Sequence, residues 1–282
     1  MSDRISVAKT YKLYIGGKFP RSESGRVYPV TDPKGKFLAN AAHASRKDVR
    51  DAMVAARKAF GGWSTATAYN RGQVLYRVAE VLEGRRDQFV AEVSASEALP
   101  PKKAESIVDA AIDRWVWYAG WTDKLPQVTG TVNPVAGPYF NFTIPEPTGV
   151  VGLVAPEEAP LLGLVRRVAP ALCGGNVIVA LAPESSPLAA LTLAEVFATS
   201  DVPAGVVNII SGQRKELLPW LASHMDVNAI DVAGCTGDEV KAIEESAAGN
   251  VKRVIKFKQQ EQSPYLIVAF MEMKTVWHPI GV

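Results

Sequence analysis

The sequence predicts an α/β fold in which a doubly wound parallel sheet follows a helical N-terminal portion, with a β-hairpin between them. Three observations predict it. From Thr148 onward, short continuous apolar runs alternate with amphipathic stretches, the pattern of parallel strands covered by helices on both faces. Residues 45–121 instead carry apolar side chains at helical spacing. The chain has 282 residues, enough to bury a sizeable core.

Residues 11–40 read as short strands, and Gly16-Gly17 in KLYIGGKFP suits a hairpin turn. Ser45 and Asp48 fit a capping box at the start of SRKDVRDAMVAARKAF, where Val49, Met53, Ala56 and Phe60 share one face. RGQVLYRVAEVLEGRRDQFVAEVSASEA and KKAESIVDAAIDRWVWYAGW continue as helices. Trp115, Trp117, Tyr118 and Trp121 cluster at the end of the latter, and without a basic groove pattern they read as packing residues. In GTVNPVAGPYFNFTIPEP, a turn at Gly137-Pro138 precedes a strand. There Phe140, Phe142 and Ile144 alternate with Asn141 and Thr143, as in a half-buried strand.

The alternating region then gives strand TGVVGLVAP, helix PLLGLVRRVAPALCG, strand NVIVAL, helix PLAALTLAEVFA and strand GVVNIIS. Helix KELLPWLASH, strand VNAIDVA and helix DEVKAIEESAA follow, and VKRVIKF and PYLIVAF close it as strands. Leu161, Leu164, Val165, Val168 and Leu172 share a face of the first helix, which leaves Arg166-Arg167 as a solvated face. Right-handed crossovers make this a Rossmann-like sheet. The organisation predicted is 1–125 for the N-terminal strands and helices, 126–147 for the hairpin, 148–270 for the sheet and 271–282 for a terminal strand.

Composition narrows the function. The hydrophobic fraction is 48%, the charged fraction 21% and the net charge +2, which argues against nucleic acid or an anionic membrane as partner. The polar start MSDRISVAKTYK lacks a signal-peptide core, and no apolar run nears the roughly 20 residues of a membrane span. Cys173 and Cys235 are too few for a disulfide framework or a metal site, and a reducing cytoplasmic setting is expected. His43, His224 and His278 are scattered, and Walker A, GxSxG and GxGxxG patterns are absent. What stands out is Glu157-Glu158, two carboxylates where a strand meets a helix in VAPEEAPLL. Taken alone they suggest paired acid–base groups.

The order of YIGGKF, SRKDVRDAMVAARKAFGGW, PTGVVGLVAP, APALCGGNVIV, SPLAALTLAEVF, VPAGVVNIISG and AAGNVKRVI resembles the NAD-binding half of the aldehyde dehydrogenase superfamily, over nearly the whole chain. MEMKTVWHPIGV resembles that family's C-terminal strand, which follows the catalytic domain and pairs across subunits. PYLIVAF runs directly into it, so the resemblance implies a chain without the catalytic domain and its nucleophilic cysteine. Neither cysteine fits the nucleophile's motif, and Cys173 in APALCGG reads as core.

The resemblance also implies what each site position has become. The family's APWNFP is APEEAP here, with Glu157 at the tryptophan and Glu158 at the asparagine that donates to the oxyanion. A carboxylate only accepts and repels developing negative charge. In VIVALAPE the family's lysine becomes Leu181, while its glutamate remains as Glu184. The glycine-x-glycine after the third strand reads Gly212-Gln213-Arg214. FTGSTEVG corresponds to GCTGDEVK, with Thr236 and Gly237 left to form a helix-start nest and Asp238 beside them. The glutamate base of LELGGKSP falls on Lys256, Phe257 or Lys258, and the double glycine becomes Gln259-Gln260.

No catalytic or metal-binding residue is therefore expected, and the candidate cofactor-binding residues are Glu184, Gly212, Thr236 and Gly237. The expected function is a non-catalytic assembly or regulatory subunit. It pairs with itself or with a full-length aldehyde dehydrogenase through the hairpin and the strand carrying Met273, Thr275 and Trp277. The alternatives are an NAD-binding module, or a subunit of an active NAD-dependent aldehyde oxidoreductase complex. No cofactor is expected, with NAD the alternative. At the lost site, charge exchange is expected, with Glu157 or Glu158 facing Lys256 or Lys258.

Overall fold

The structure, a computed structural model, describes residues 7–257 and 261–281. Strands β1 (Thr10–Tyr11), β2 (Val27–Thr31) and β3 (Phe37–Ala42) form a small sheet in the order β1-β3-β2. Between β1 and β2, Gly16 and Gly17 take φ of 59° and 75° and close a turn at the Ile15–Lys18 bridge. Positive φ at both central positions is what a tight hairpin needs and glycine supplies.

Helix α1 (Arg46–Thr65) starts on the expected capping box, in which Asp48 accepts the Ser45 N–H at 2.8 Å. Helices α2 (Ala68–Gly84), α3 (Arg86–Glu97), α4 (Pro101–Ala119) and α5 (Leu125–Thr129) follow. Trp115 and Tyr118 of α4 are fully buried. The other two aromatics of the cluster stack on each other, Trp117 on Trp121, with ring centroids 5.4 Å apart. Packing, not an exposed platform, accounts for all four.

Strands β4 (Thr131–Asn133) and β5 (Tyr139–Pro147) form the hairpin. The chain then runs β6 (Val150–Val154), α6 (Pro160–Cys173), β7 (Val177–Leu181), α7 (Leu188–Phe197), β8 (Val207–Ile210) and α8 (Arg214–Ser223). After these come β9 (Ala229–Asp231), α9 (Gly237–Ala247), β10 (Arg253–Ile255), α10 (Pro264–Val268) and β11 (Met271–Pro279). The central sheet is all parallel, in the order β10-β9-β6-β7-β8. The chain winds outward from β6 to β8 and returns to β9 on the other side, so the direction switches between β6 and β9. Every residue of β6, β7, β8 and β9 is buried, which is why, Asn208 and Asp231 apart, they read as apolar runs.

Three asparagines tie segments together near the strand starts. Asn176 is fully buried; it accepts the Gly149 N–H at 2.9 Å and donates to Ala171 O and Phe270 O. Asn208, also fully buried, accepts from Gly16 N and donates to Ile178 O and Gly205 O. Asn228 accepts from Val150 N and from Arg57.

The structure corrects three expectations. PYLIVAF is not a strand. Ser263 caps a short helix with Pro264 at its first turn, and Leu266, Ile267 and Phe270 turn inward. A short apolar run does not distinguish strand from helix; here the cap decides. In β5 the burial is inverted. Asn141 and Thr143 are buried, while Phe140 and Ile144 are exposed. Alternation identifies two faces without saying which is covered. The polar face is closed by cross-strand bonds, Asn133 to Asn141 at 2.9 Å and Thr143 to Thr275 at 2.9 Å. Finally, Arg167 is not on a solvated face. It is 4% exposed and lies 3.7 Å from the fully buried Asp231.

The terminal strand finds a partner within its own chain. β11 pairs antiparallel with β5 over its whole length, giving a second sheet in the order β11-β5-β4. No helix among the described residues is long and apolar enough to cross a membrane.

Candidate functional site

In an open parallel sheet, ligands bind beyond the strand carboxyl ends at the switch in winding direction. Four loops converge on that place here. Glu157 and Glu158 follow β6, Glu184 and Ser185 follow β7, Gly212 and Arg214 follow β8, and Gly234 to Gly237 follow β9. Ala159, with φ of 46°, turns the first loop sharply into Pro160 of α6.

The centre of the arrangement is an ionic knot. One Glu157 oxygen accepts the Glu184 N–H at 2.7 Å and Arg214 Nη2 at 3.1 Å. Its other oxygen accepts the Ser185 N–H at 3.1 Å and the Ser185 hydroxyl at 2.5 Å. Glu184 in turn accepts the Arg214 N–H at 2.7 Å, at the start of α8, where a carboxylate suits the helix dipole. The Arg214 guanidinium also donates to Gly234 O and lies 3.6 Å from Glu239. One side chain thus joins the loops after β6, β8 and β9. Its own side chain is 17% exposed, so the pair with Glu157 is partly shielded from solvent screening.

Two cavities flank this knot, and Glu157 and Arg214 line both. One, of about 670 Å³, adds Glu158, Arg166, Arg167, Cys235 and Thr236. The other, of about 830 Å³, adds Tyr28, Asp32, Glu97 and Glu184. Burial, reinforced by Glu184 and Glu157, raises the Tyr28 hydroxyl well above its usual range. Burial also raises the Glu97 carboxyl. Both thiols are pushed up to about 12, chiefly by burial. They are therefore protonated at neutral pH and unsuited to nucleophilic attack.

Each of the four predicted cofactor residues has a local structural role. Glu184 accepts the Arg214 N–H through one carboxylate oxygen. Gly212, at φ 149°, packs against the start of α1, and a Cβ there would lie 3.0 Å from His43 and 3.1 Å from Leu217. Thr236 is the N-cap of α9, exchanging hydrogen bonds with Glu239. Gly237 opens α9, with no atom within 4 Å of where its Cβ would stand. Sequence reasoning missed Arg214 and Ser185 as partners of Glu157. The available signal was an arginine at a position the resemblance assigns to glycine.

The expected charge exchange is corrected for Lys256. The cation facing Glu157 is Arg214, and Lys256 pairs with Glu244 of α9. Lys258, Gln259 and Gln260 lie outside the described residues. Among the described residues, no group of three or more His, Cys, Asp or Glu is placed to hold a metal ion.

Residues 19–269 match the family model described as "Aldehyde dehydrogenase family". Among curated proteins, the putative aldehyde dehydrogenase DhaS of Bacillus subtilis is 37% identical over 249 residues, covering 87% of this chain and 50% of that protein. The mitochondrial benzaldehyde dehydrogenase of Antirrhinum majus is 33% identical over 260 residues, covering 91% of this chain and 48% of that protein. Among solved structures, an NAD+ complex of an aldehyde dehydrogenase from Bacillus cereus superposes with a TM-score of 0.81 at 29% identity, covering 87% of this chain and 50% of that one. The chain spans about half the length of the curated relatives it matches.

Proposed function

The chain belongs to the aldehyde dehydrogenase family, and from that premise we propose that it is a non-catalytic member acting by assembly, as a subunit that joins a second copy or a full-length aldehyde dehydrogenase. The observation that carries the reading is the uncovered β11-β5-β4 sheet. Val132, Phe140, Ile144, Met273, Val276 and Trp277 are all at least 39% exposed on it. Apolar side chains gathered on one small sheet mark an interaction surface.

The ionic knot supports the non-catalytic part. A dinucleotide laid across the switch point would bring its diphosphate against the carboxylates of Glu157 and Glu239. Glu184, the one retained ribose-side carboxylate, already accepts the Arg214 N–H through one of its oxygens. The residues present do not fit NAD, and Glu158 offers no donor to an oxyanion. The setting is cytoplasmic on this reading, which two free cysteines suit.

Light scattering after size exclusion tests assembly. The full chain is expected above monomer mass, and a chain lacking residues 271–282 at or near it. An oligomeric state unchanged by the truncation overturns the reading. The second reading, an NAD-binding module, draws on the open backbone at Gly237. Calorimetry with NAD and NADP separates the two, because sub-millimolar binding would make the second reading the correct one.

A further inference from the structure

We propose that the outer edge of β11 pairs antiparallel with β11 of a second copy of this chain, about a twofold axis through Thr275. This rests on the assembly reading and specifies its partner, strand and register.

The hydrogen-bond pattern shows what the edge offers. In the β11–β5 ladder, Thr148 N donates to Phe270 O and Ile280 N to Pro138 O. Both donor–acceptor pairs continue the strand register, in which Met271 faces Pro147 and Pro279 faces Tyr139. Bonded and non-bonded pairs alternate along an antiparallel ladder. The even-numbered residues of β11 therefore bond inward to β5. Met273, Thr275 and Trp277 present their N–H and C=O groups outward, and all three are exposed. An exposed edge of this length is a template for another strand.

The sequence of that edge is self-complementary. Centred on Thr275, the pairing places Met273 opposite Trp277 of the second copy, and Glu272 opposite His278. Sulfur meets an aromatic ring, and a carboxylate meets an imidazole. A slip of two residues in one direction sets Lys274 against Lys274, and in the other sets Lys274 against His278. The ends also match. Pro279 has no N–H to give to the outward carbonyl of Met271, and Arg253 already donates to that carbonyl. Because residues directly opposite share a face, Phe140, Phe142, Ile144 and Val276 of both copies line one side of a continuous six-stranded sheet, an isologous arrangement.

Thr275→Pro tests this, since the N–H it removes points away from β5. The Thr143–Thr275 hydroxyl bond goes with it, so Thr275→Val, which loses the same hydroxyl but keeps the N–H, is the control. The proline variant is expected to be monomeric at concentrations where the parent and Thr275→Val are dimeric, with its thermal unfolding close to that of Thr275→Val. In a Cys235→Ser background, Thr275→Cys is expected to form a covalent dimer on oxidation. Bonded pairs stand about 5.5 Å apart at Cα, within disulfide reach. Lys274→Cys, displaced by two residues from its own copy, is expected not to do so. A parent dimer that survives Thr275→Pro, or that fails to cross-link at Thr275→Cys, overturns the register while leaving self-assembly standing. A monomeric parent overturns the pairing and leaves only a full-length partner for the assembly reading.

Discussion

Replacing Asn176 by alanine is expected to cost the chain about 3–5 kcal/mol of stability, read as a fall in the denaturation midpoint at constant slope. The side chain is fully buried and makes three hydrogen bonds, to Gly149 N, Ala171 O and Phe270 O. The two carbonyls keep other donors, since Asn176 N bonds Ala171 O and Thr148 N bonds Phe270 O. The Gly149 N–H has no such alternative once the amide is gone. A buried donor left unmet costs about 1–3 kcal/mol, and each of the two lost bonds to carbonyls about 1 kcal/mol more. These three partners belong to the entry to β6, the end of α6 and the residue before β11. The variant should therefore also loosen the terminal strand, seen as faster amide exchange in β11. A change below about 1 kcal/mol would mean that water replaces the amide at this site.

Much of this architecture is legible in the sequence because its causes are local. The Gly16-Gly17 turn needs only two positive φ angles, and the Ser45–Asp48 box needs only a spacing of three residues. Strands β6 and β7 are apolar on both faces, so their runs stand out. The misreadings arise where the deciding partner is distant. The burial of β5 depends on bonds from Asn133 and from Thr275, 132 residues away from Thr143. The knot at the site joins Arg214 to Glu184 across 30 residues and to Glu157 across 57. Composition and spacing carry no trace of such partners. The resemblance located the glutamate pair and the lost glycine, but it could not say that one carboxylate and the new arginine would meet each other. Nor could helical spacing show that Arg167 turns inward, since that depends on Asp231 waiting at the end of β9.

That buried pair makes the second large prediction, one of pH. Asp231 is fully buried, accepts the Ala233 N–H at 2.8 Å and stands 3.7 Å from Arg167. Burial pushes its carboxyl up from 3.8 to about 6, and Arg167 holds the shift in check. A carboxyl raised on folding binds its proton more tightly in the native state than in the unfolded chain. Its stabilising contribution is complete below pH 4 and is lost as pH rises through 6. At 1.36 kcal/mol per unit, the loss over that window is roughly 3 kcal/mol. Asp231→Asn retains the acceptor for Ala233 and cannot ionise. The stability of the parent relative to this variant is therefore expected to fall by that amount between pH 4 and 6, with other titrating groups cancelling in the difference. Removing the cation should move the step upward, because Arg167→Met deprives the ionised carboxylate of its counter-charge. A difference curve that is flat from pH 4 to 6 would show that Asp231 ionises without cost. In that case Arg167 would already compensate its burial completely, and the Arg167→Met variant, not Asp231→Asn, would carry the pH dependence.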